Sequence, residues 1–281
     1  MFTTLISVSE LSDLLQAKSS ATVVLDCRSY LTAPDQGERV FLEGHIPGAG
    51  YLHLDHDLSA PVTADSGRHP LPSFTQLVEK IRSCGVNNDT QVVVYDDCGG
   101  AMAARAWWLF RVLGHFTVSV LDGGYPAWIA ASGDVSDQES SVSLGTFSGE
   151  PDLSMILPLE QVAGFASDGL LVDARSPERY RGEQEPIDPV AGHIPGAVNR
   201  PLQLNLTADG CFKSAETLQQ EWLGFIEGYE SSEVAHYCGS GVTACHNLLT
   251  MEHAGLKGAK VYPGSWSEWI RDPQRPVAID K

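Results

Sequence analysis

Gly44-His45-Ile46-Pro47-Gly48-Ala49 returns unchanged as Gly192-His193-Ile194-Pro195-Gly196-Ala197, 148 residues later. Upstream, Val23-Val24-Leu25-Asp26-Cys27-Arg28-Ser29 is answered by Leu170-Leu171-Val172-Asp173-Ala174-Arg175-Ser176 at an offset of 147. Downstream, Gly123 and Trp128 match Gly264 and Trp269 at an offset of 141. These features recur in one order, which is the signature of a tandem duplication. Within each copy, short apolar runs (23–25, 91–95 and 118–121, then 170–172, 233–237 and 259–262) alternate with helical patterns such as 73–82 and 101–113. The alternation predicts an α/β chain of two domains, each a mainly parallel sheet flanked by helices. Residues 133–152 are rich in Ser, Gly, Asp and Glu and lack apolar periodicity, so a linker is expected at 136–152 between domains at 1–135 and 153–281.

The chain has 281 residues, 43% hydrophobic and 19% charged, enough for two cores. Its net charge is −18. Residues 1–140 hold eight basic against seventeen acidic side chains and residues 141–281 ten against nineteen, so no basic arm hides in the average. Such a field repels polyanions, and neither nucleic acid nor a membrane is expected as a partner. Any small anion must be held by a local pocket. No apolar run approaches the length of a bilayer span, and residues 1–15 carry Glu10 and Asp13 where a signal peptide would be basic and then apolar. Six cysteines without Cys-x-x-Cys pairs or zinc-type clusters point to a reducing cytoplasm and to no metal site.

The segment with most chemical content is His236-Tyr237-Cys238-Gly239-Ser240-Gly241-Val242-Thr243-Ala244. A strand is expected to end at Tyr237, a small-residue loop to follow, and the run 242–253 to be helical. Cys238 then stands at the carboxyl end of a parallel strand just before a helix N-terminus, the ligand crevice of open α/β sheets. Unpaired amides and the helix dipole there favour a thiolate, and the small residues allow the backbone of 239–243 to curve around a sulfur anion. A cysteine taken alone is more often a buried structural thiol, and that is the expectation for Cys27, Cys84 and Cys245. A phosphatase would need an arginine six positions beyond its cysteine, where this chain has Ala244. Peptidase chemistry would need a histidine aimed at the thiol, and His236 alternates with Tyr237 to the other side of its strand.

These residues resemble the tandem-domain rhodanese sulfurtransferases, the thiosulfate and 3-mercaptopyruvate group, over about Ser7 to Val277. The resemblance rests on the paired Gly-His-Ile-Pro-Gly-Ala segments, Trp107-Trp108, Leu121-Asp122-Gly123-Gly124 and, above all, Cys238-Gly239-Ser240-Gly241-Val242-Thr243. It implies a non-catalytic first domain and a second domain whose Cys238 takes a sulfane sulfur from thiosulfate or 3-mercaptopyruvate as a persulfide. The sulfur then passes to cyanide, a thiol or thioredoxin, with no metal or organic cofactor. A sulfur-carrier or regulatory module with little turnover on free donors is the alternative. The resemblance makes Arg179 a substrate-binding residue, against the plainer reading of a surface ion pair with Glu178 or Glu183. It also maps a serine, histidine and aspartate relay onto Ser240, His69 and Asp57, with Asp55 nearby and His69 reaching across from the first domain. One departure stands out: a second arginine often follows the Glu-Pro pair in the mercaptopyruvate branch, and here Glu185-Pro186 is followed by Ile187. In the first copy, counting from the helix sets Cys98 opposite Cys238, while counting from Tyr95 sets Asp96 there. Asp96-Asp97 would oppose a thiolate beside them, so Cys98 is not expected to be a second nucleophile. Asp26 with Arg28, Asp173 with Arg175, His45 and His193 occur in both copies and are read as structural.

Overall fold

The computed structural model describes residues 1–17, 22–139 and 142–280. It divides into two compact units: Met1–Ala60, Pro72–Asp152 and Ala208–Phe212 form the first, and Pro61–Leu71, Leu153–Thr207 and Lys213–Lys281 form the second. In the first, strands β1 (Leu5–Ile6), β2 (Thr22–Asp26), β3 (Gly50–Tyr51), β4 (Gln91–Tyr95) and β5 (Val118–Leu121) pair in parallel in the order β1-β5-β4-β2-β3. In the second, β6 (Leu170–Asp173), β7 (Val198–Asn199), β8 (Val234–Tyr237) and β9 (Lys260–Val261) do the same in the order β7-β6-β8-β9. Register repeats between the copies: Asp26 faces Tyr95 across β2 and β4 as Asp173 faces Tyr237 across β6 and β8. Both β4 and β8 are buried along their whole length, as continuous apolar runs covered on both faces should be.

Helices α1 (Val8–Gln16), α2 (Gln36–Glu43), α3 (Phe74–Ser83), α4 (Ala103–Val112) and α5 (Gly124–Ala130) belong to the first unit. Helices α6 (Leu159–Asp168), α7 (Pro177–Arg181), α8 (Ala215–Phe225), α9 (Ala244–His253) and α10 (Ser265–Trp269) belong to the second. α1 starts on a capping box, the Ser7 hydroxyl accepting from the Glu10 amide while the Glu10 carboxylate accepts from the Ser7 amide. α4, with Trp107 and Trp108, is buried on every side, as its nearly unbroken apolar sequence requires. α9 begins two residues later than the sequence suggests, because Val242 and Thr243 are spent on the turn that leaves β8.

The stretch expected to be a linker is packed where it is described; Ser140 and Ser141 lie outside the described residues. Ser136 pairs with His45 in an antiparallel bridge, the Gly145 amide donates to Arg82 O, the Phe147 amide to Val86 O and the Asp152 amide to Val112 O. The Phe147 ring is buried. Main-chain pairing holds this segment down, and hydropathy patterning does not register that kind of attachment.

The duplicated sequences turn out to be one another's partners. Arg28 grips Asp26 through Nε and Nη2, and its Nη2 also donates to Gly44 O at 2.7 Å. Arg175 repeats this with Asp173, and its Nη2 donates to Gly192 O at the same 2.7 Å. Each Asp-Arg pair therefore ties a strand end to the Gly-His-Ile-Pro turn. Each histidine caps a helix end: His45 Nδ1 meets Phe41 O and His193 Nδ1 meets Tyr180 O, both at 2.8 Å. Removing one member of a fully buried ion pair strands the other charge, at a cost of about 3–5 kcal/mol. Asp173→Ala and Asp26→Ala are therefore each expected to lower unfolding free energy by about 3 kcal/mol or more. Calorimetry or denaturant titration of the intact chain measures this, and a loss below about 1 kcal/mol would contradict it.

Candidate active site

Cys238 follows the last residue of β8, and its backbone is held on both sides. Its amide donates to Ser265 Oγ at 3.0 Å, and its carbonyl accepts from the Trp266 amide at 3.0 Å. The next carbonyl, of Gly239, accepts from the Ser267 amide at 2.9 Å. The loop then curls back, and the Gly241 amide donates to the Cys238 sulfur at 3.2 Å. Gly241 has φ +77, and a Cβ there would lie 2.0 Å from Pro263 O, so only glycine allows this approach. The thiol is buried, with 2% of the residue exposed.

The first unit supplies an internal comparison. Tyr95 and Tyr237 correspond, each phenol oxygen accepting from an isoleucine amide, Ile46 at 3.3 Å and Ile194 at 3.2 Å. The next residues, Asp96 and Cys238, are thus equivalent, and their carbonyls accept from Tyr125 and Trp266 respectively. Asp96, not Cys98, occupies the sulfur position. Its carboxylate accepts from the amides of Cys98, Gly100, Met102 and Ala103 at 2.7 to 3.0 Å. In the first unit the cradle is therefore filled by a side-chain carboxylate. Cys98 is exposed as a residue, yet desolvation and then the Asp96 and Asp97 carboxylates push its thiol well up, away from ionisation.

Around Cys238 stand side chains from separate parts of the second unit. His69 and Ser240 are both buried, with His69 Nδ1 2.7 Å from Ser240 Oγ. His69 lies in Pro61–Leu71, a stretch of the first repeat that groups with the second unit. Asp57 belongs to the first unit, where its Oδ2 accepts from the His53 amide at 2.7 Å and lies 3.0 Å from Lys80 Nζ. The neighbouring Asp55 amide donates to His53 Nδ1.

Arg179 pairs with neither Glu178 nor Glu183. Its Nε and Nη2 grip Glu185, and Nη2 also meets Asp188 Oδ2 at 3.1 Å. Burial works against the Glu185 carboxylate, but hydrogen bonds from Arg179 and from the Asp188 and Ile187 amides outweigh it and hold the group below the usual range. Asp188 is pushed up by burial despite its arginine neighbours. His236 is a core residue: burial, and then the Arg200 charge, lower it to about 3, and its Nε2 faces Met251 Sδ at 3.2 Å.

A rhodanese-like domain profile matches residues 7–131 and again 159–272. The chain belongs to the rhodanese family. It is 50% identical over 260 residues to a Pseudomonas aeruginosa protein named "Probable 3-mercaptopyruvate sulfurtransferase", covering 91% of this chain and 92% of that one. It is 37% identical over 257 residues to the thiosulfate sulfurtransferase of Mus musculus, covering 88% and 84%. Among solved structures, the 3-mercaptopyruvate sulfurtransferase from Leishmania major superposes with a TM-score of 0.85 at 29% identity, over 96% of this chain and 75% of that one.

Two members of this rhodanese site are absent from the sequence reading. Arg68 has its Nη1 2.9 Å from Asp188 Oδ1, and the guanidinium groups of Arg68 and Arg179 both border Gly239. Nothing in the sequence marks it beyond its place beside His69. Ser265 carried a usable signal, because the repeat offset of 141 aligns it with Gly124, and both have positive φ, +54 and +58. A serine in that conformation costs about 1 kcal/mol relative to glycine. Here its hydroxyl accepts the Cys238 amide and donates to Tyr262 O at 2.9 Å. Ser265→Gly removes this bond but relieves the backbone, so stability should stay within about 1 kcal/mol of the parent while sulfur-transfer rate falls several-fold. Ser265→Ala keeps the backbone cost and orphans the amide, so it should lose both rate and about 1–2 kcal/mol. Thermal melts paired with turnover measure the two, and equal melting losses in both variants would contradict this.

Proposed function

We propose that Cys238 acts as sulfur acceptor and donor in a two-step covalent transfer, with the first unit holding no second nucleophile. The chain is a sulfurtransferase of the rhodanese family. One observation carries the assignment of Cys238: a lone thiol stands where the other copy's backbone amides gather around the Asp96 carboxylate. A site that holds a carboxylate in one copy is suited to an anionic sulfur in the other.

With thiosulfate as donor, the Cys238 thiolate attacks the outer sulfur and a new S–S bond forms. The S–S bond to the sulfonate breaks, and sulfite leaves with the electron pair. With 3-mercaptopyruvate the attack falls on the thiol sulfur and the C–S bond breaks. Its electron pair passes to the pyruvate enolate, which takes the proton formerly on that sulfur. Both routes leave Cys238 as a persulfide anion. Ser240 and His69, joined at 2.7 Å, are placed to move that proton. In the second step a cyanide ion or a thiolate attacks the outer sulfur, releasing thiocyanate or a new persulfide and restoring the Cys238 thiolate. The sulfur is carried covalently, so the cycle calls for no metal or organic cofactor. The amides of residues 239–243 are the groups that receive the persulfide charge, with Gly241 already in contact. Among the described residues no helix is long and apolar enough to cross a membrane. All six cysteines are unpaired, which supports a reducing compartment such as the cytoplasm.

Cys238→Ser is expected to abolish turnover on both donors, and Cys98→Ser to retain most of it. Mass spectrometry after donor treatment should find a gain of about 32 Da on the peptide containing Cys238, one sulfur atom. Loading without turnover on either free donor would favour the carrier alternative. Sulfur found on another cysteine, with activity surviving Cys238→Ser, would defeat the assignment.

A further inference from the structure

We propose that Arg68 is a specificity-determining residue that binds the sulfonate or carboxylate head of the sulfur donor together with Arg179, taking the part left open by Ile187. This rests on the reading of Cys238 as the sulfur acceptor. Both guanidinium groups border the residue that follows Cys238: a Cβ built on Gly239 would lie 2.8 Å from Arg68 Nη2 and 3.4–3.5 Å from Arg179 Nη2 and Nη1. Arg68 Nη2 and Arg179 Nη1 donate to none of the described residues, so each keeps N–H groups available to an anion.

Asp188 fixes the spacing of the pair. One carboxylate oxygen accepts from Arg68 and the other from Arg179. The layering is asymmetric: the Arg68 and Arg179 side chains are 25% and 16% exposed, while those of Asp188 and Glu185 are 3% exposed. A small anion arriving from solvent meets cations first, with the balancing carboxylates beneath them. That arrangement gives a chain of net charge −18 a local anion site.

Arg68 is not needed to pin its own segment. Its amide donates to Ser267 Oγ at 3.0 Å, and Arg271 Nε donates to Ser66 O at 2.8 Å. Gly67 is packed so closely that a Cβ would fall 2.6 Å from Gly264 O. These contacts hold His69 near Ser240 whatever the side chain at 68, so binding can be separated from architecture.

The test is steady-state kinetics of the full chain and its Arg68→Ala and Arg68→Lys variants with thiosulfate and with 3-mercaptopyruvate, alongside sulfur loading of Cys238 by mass. Arg68→Ala should raise KM for both anionic donors about 10- to 100-fold, the value of a charge-assisted contact, with a much smaller change in kcat. Arg68→Lys should recover part of the loss, since it restores charge without the planar fork. A rise confined to one donor would assign Arg68 to that donor's head group. KM values within twofold of the parent for both donors would overturn the proposal. So would a fall in kcat at unchanged KM that lysine does not rescue, because that is the pattern of a merely structural residue. Absence of sulfur on Cys238 in the parent enzyme would remove the acceptor reading, and this proposal with it.

Discussion

In both halves of the chain the decisive constraint is where a few main-chain N–H groups point. At the carboxyl end of the central parallel strand the backbone turns inward before the next helix; in the first copy its amides converge on the Asp96 carboxylate, and in the second the Gly241 amide meets the Cys238 sulfur. Such groups need an acceptor, and the best acceptor is an anion. One copy satisfies them with Asp96, which takes four amide bonds. The other presents a sulfur. The surrounding structure serves to keep this turn closed: the carbonyls of Asp96 and Cys238 are caught by the amides of Tyr125 and Trp266 at the start of α5 and α10. The duplication thus preserved a container and changed its content.

Charge is arranged around the sulfur in alternating layers. Asp173, Glu185 and Asp188 are interleaved with Arg175, Arg179 and Arg68, so that each arginine shares a carboxylate with its neighbour. Arg175 also lies over the Trp266 ring, 4.9 Å from its centroid, and the indole N–H donates to Val190 O. A guanidinium fork suits such a network better than an ammonium, because it engages two acceptors in fixed geometry. The innermost pair, Asp173 with Arg175, has a double in the first unit and belongs to the fold.

The architecture was legible because it rests on repetition and on local punctuation. The paired Gly-His-Ile-Pro segments and the Asp-x-Arg strand ends announce two copies, and the structure joins these segments to each other in each copy. Cys238 was legible for a related reason, since strand, small-residue loop and helix start are contiguous in the chain. What escaped was non-local. Arg68 and Ser267 are 199 residues apart, and no spacing rule links them. The partners of Arg179 escaped too, because Glu178 and Glu183 are nearer in sequence than the Glu185 and Asp188 that the loop after α7 folds back. The attachment of 142–152 to the first unit was not legible, because much of it is through carbonyls and amides.

The placement of Pro61–Leu71 within the second unit has a bearing on biosynthesis. A ribosome moving at roughly 5–20 residues per second emits Arg68 some 10–40 s before Ser267, the side chain that receives its amide. During that interval β4 and β5 of the first unit and then most of the second unit are delivered. The contact between Arg68 and Ser267 therefore joins parts of the nascent chain made far apart in time. A fragment beginning at the second repeat would carry Cys238 without Arg68 or His69.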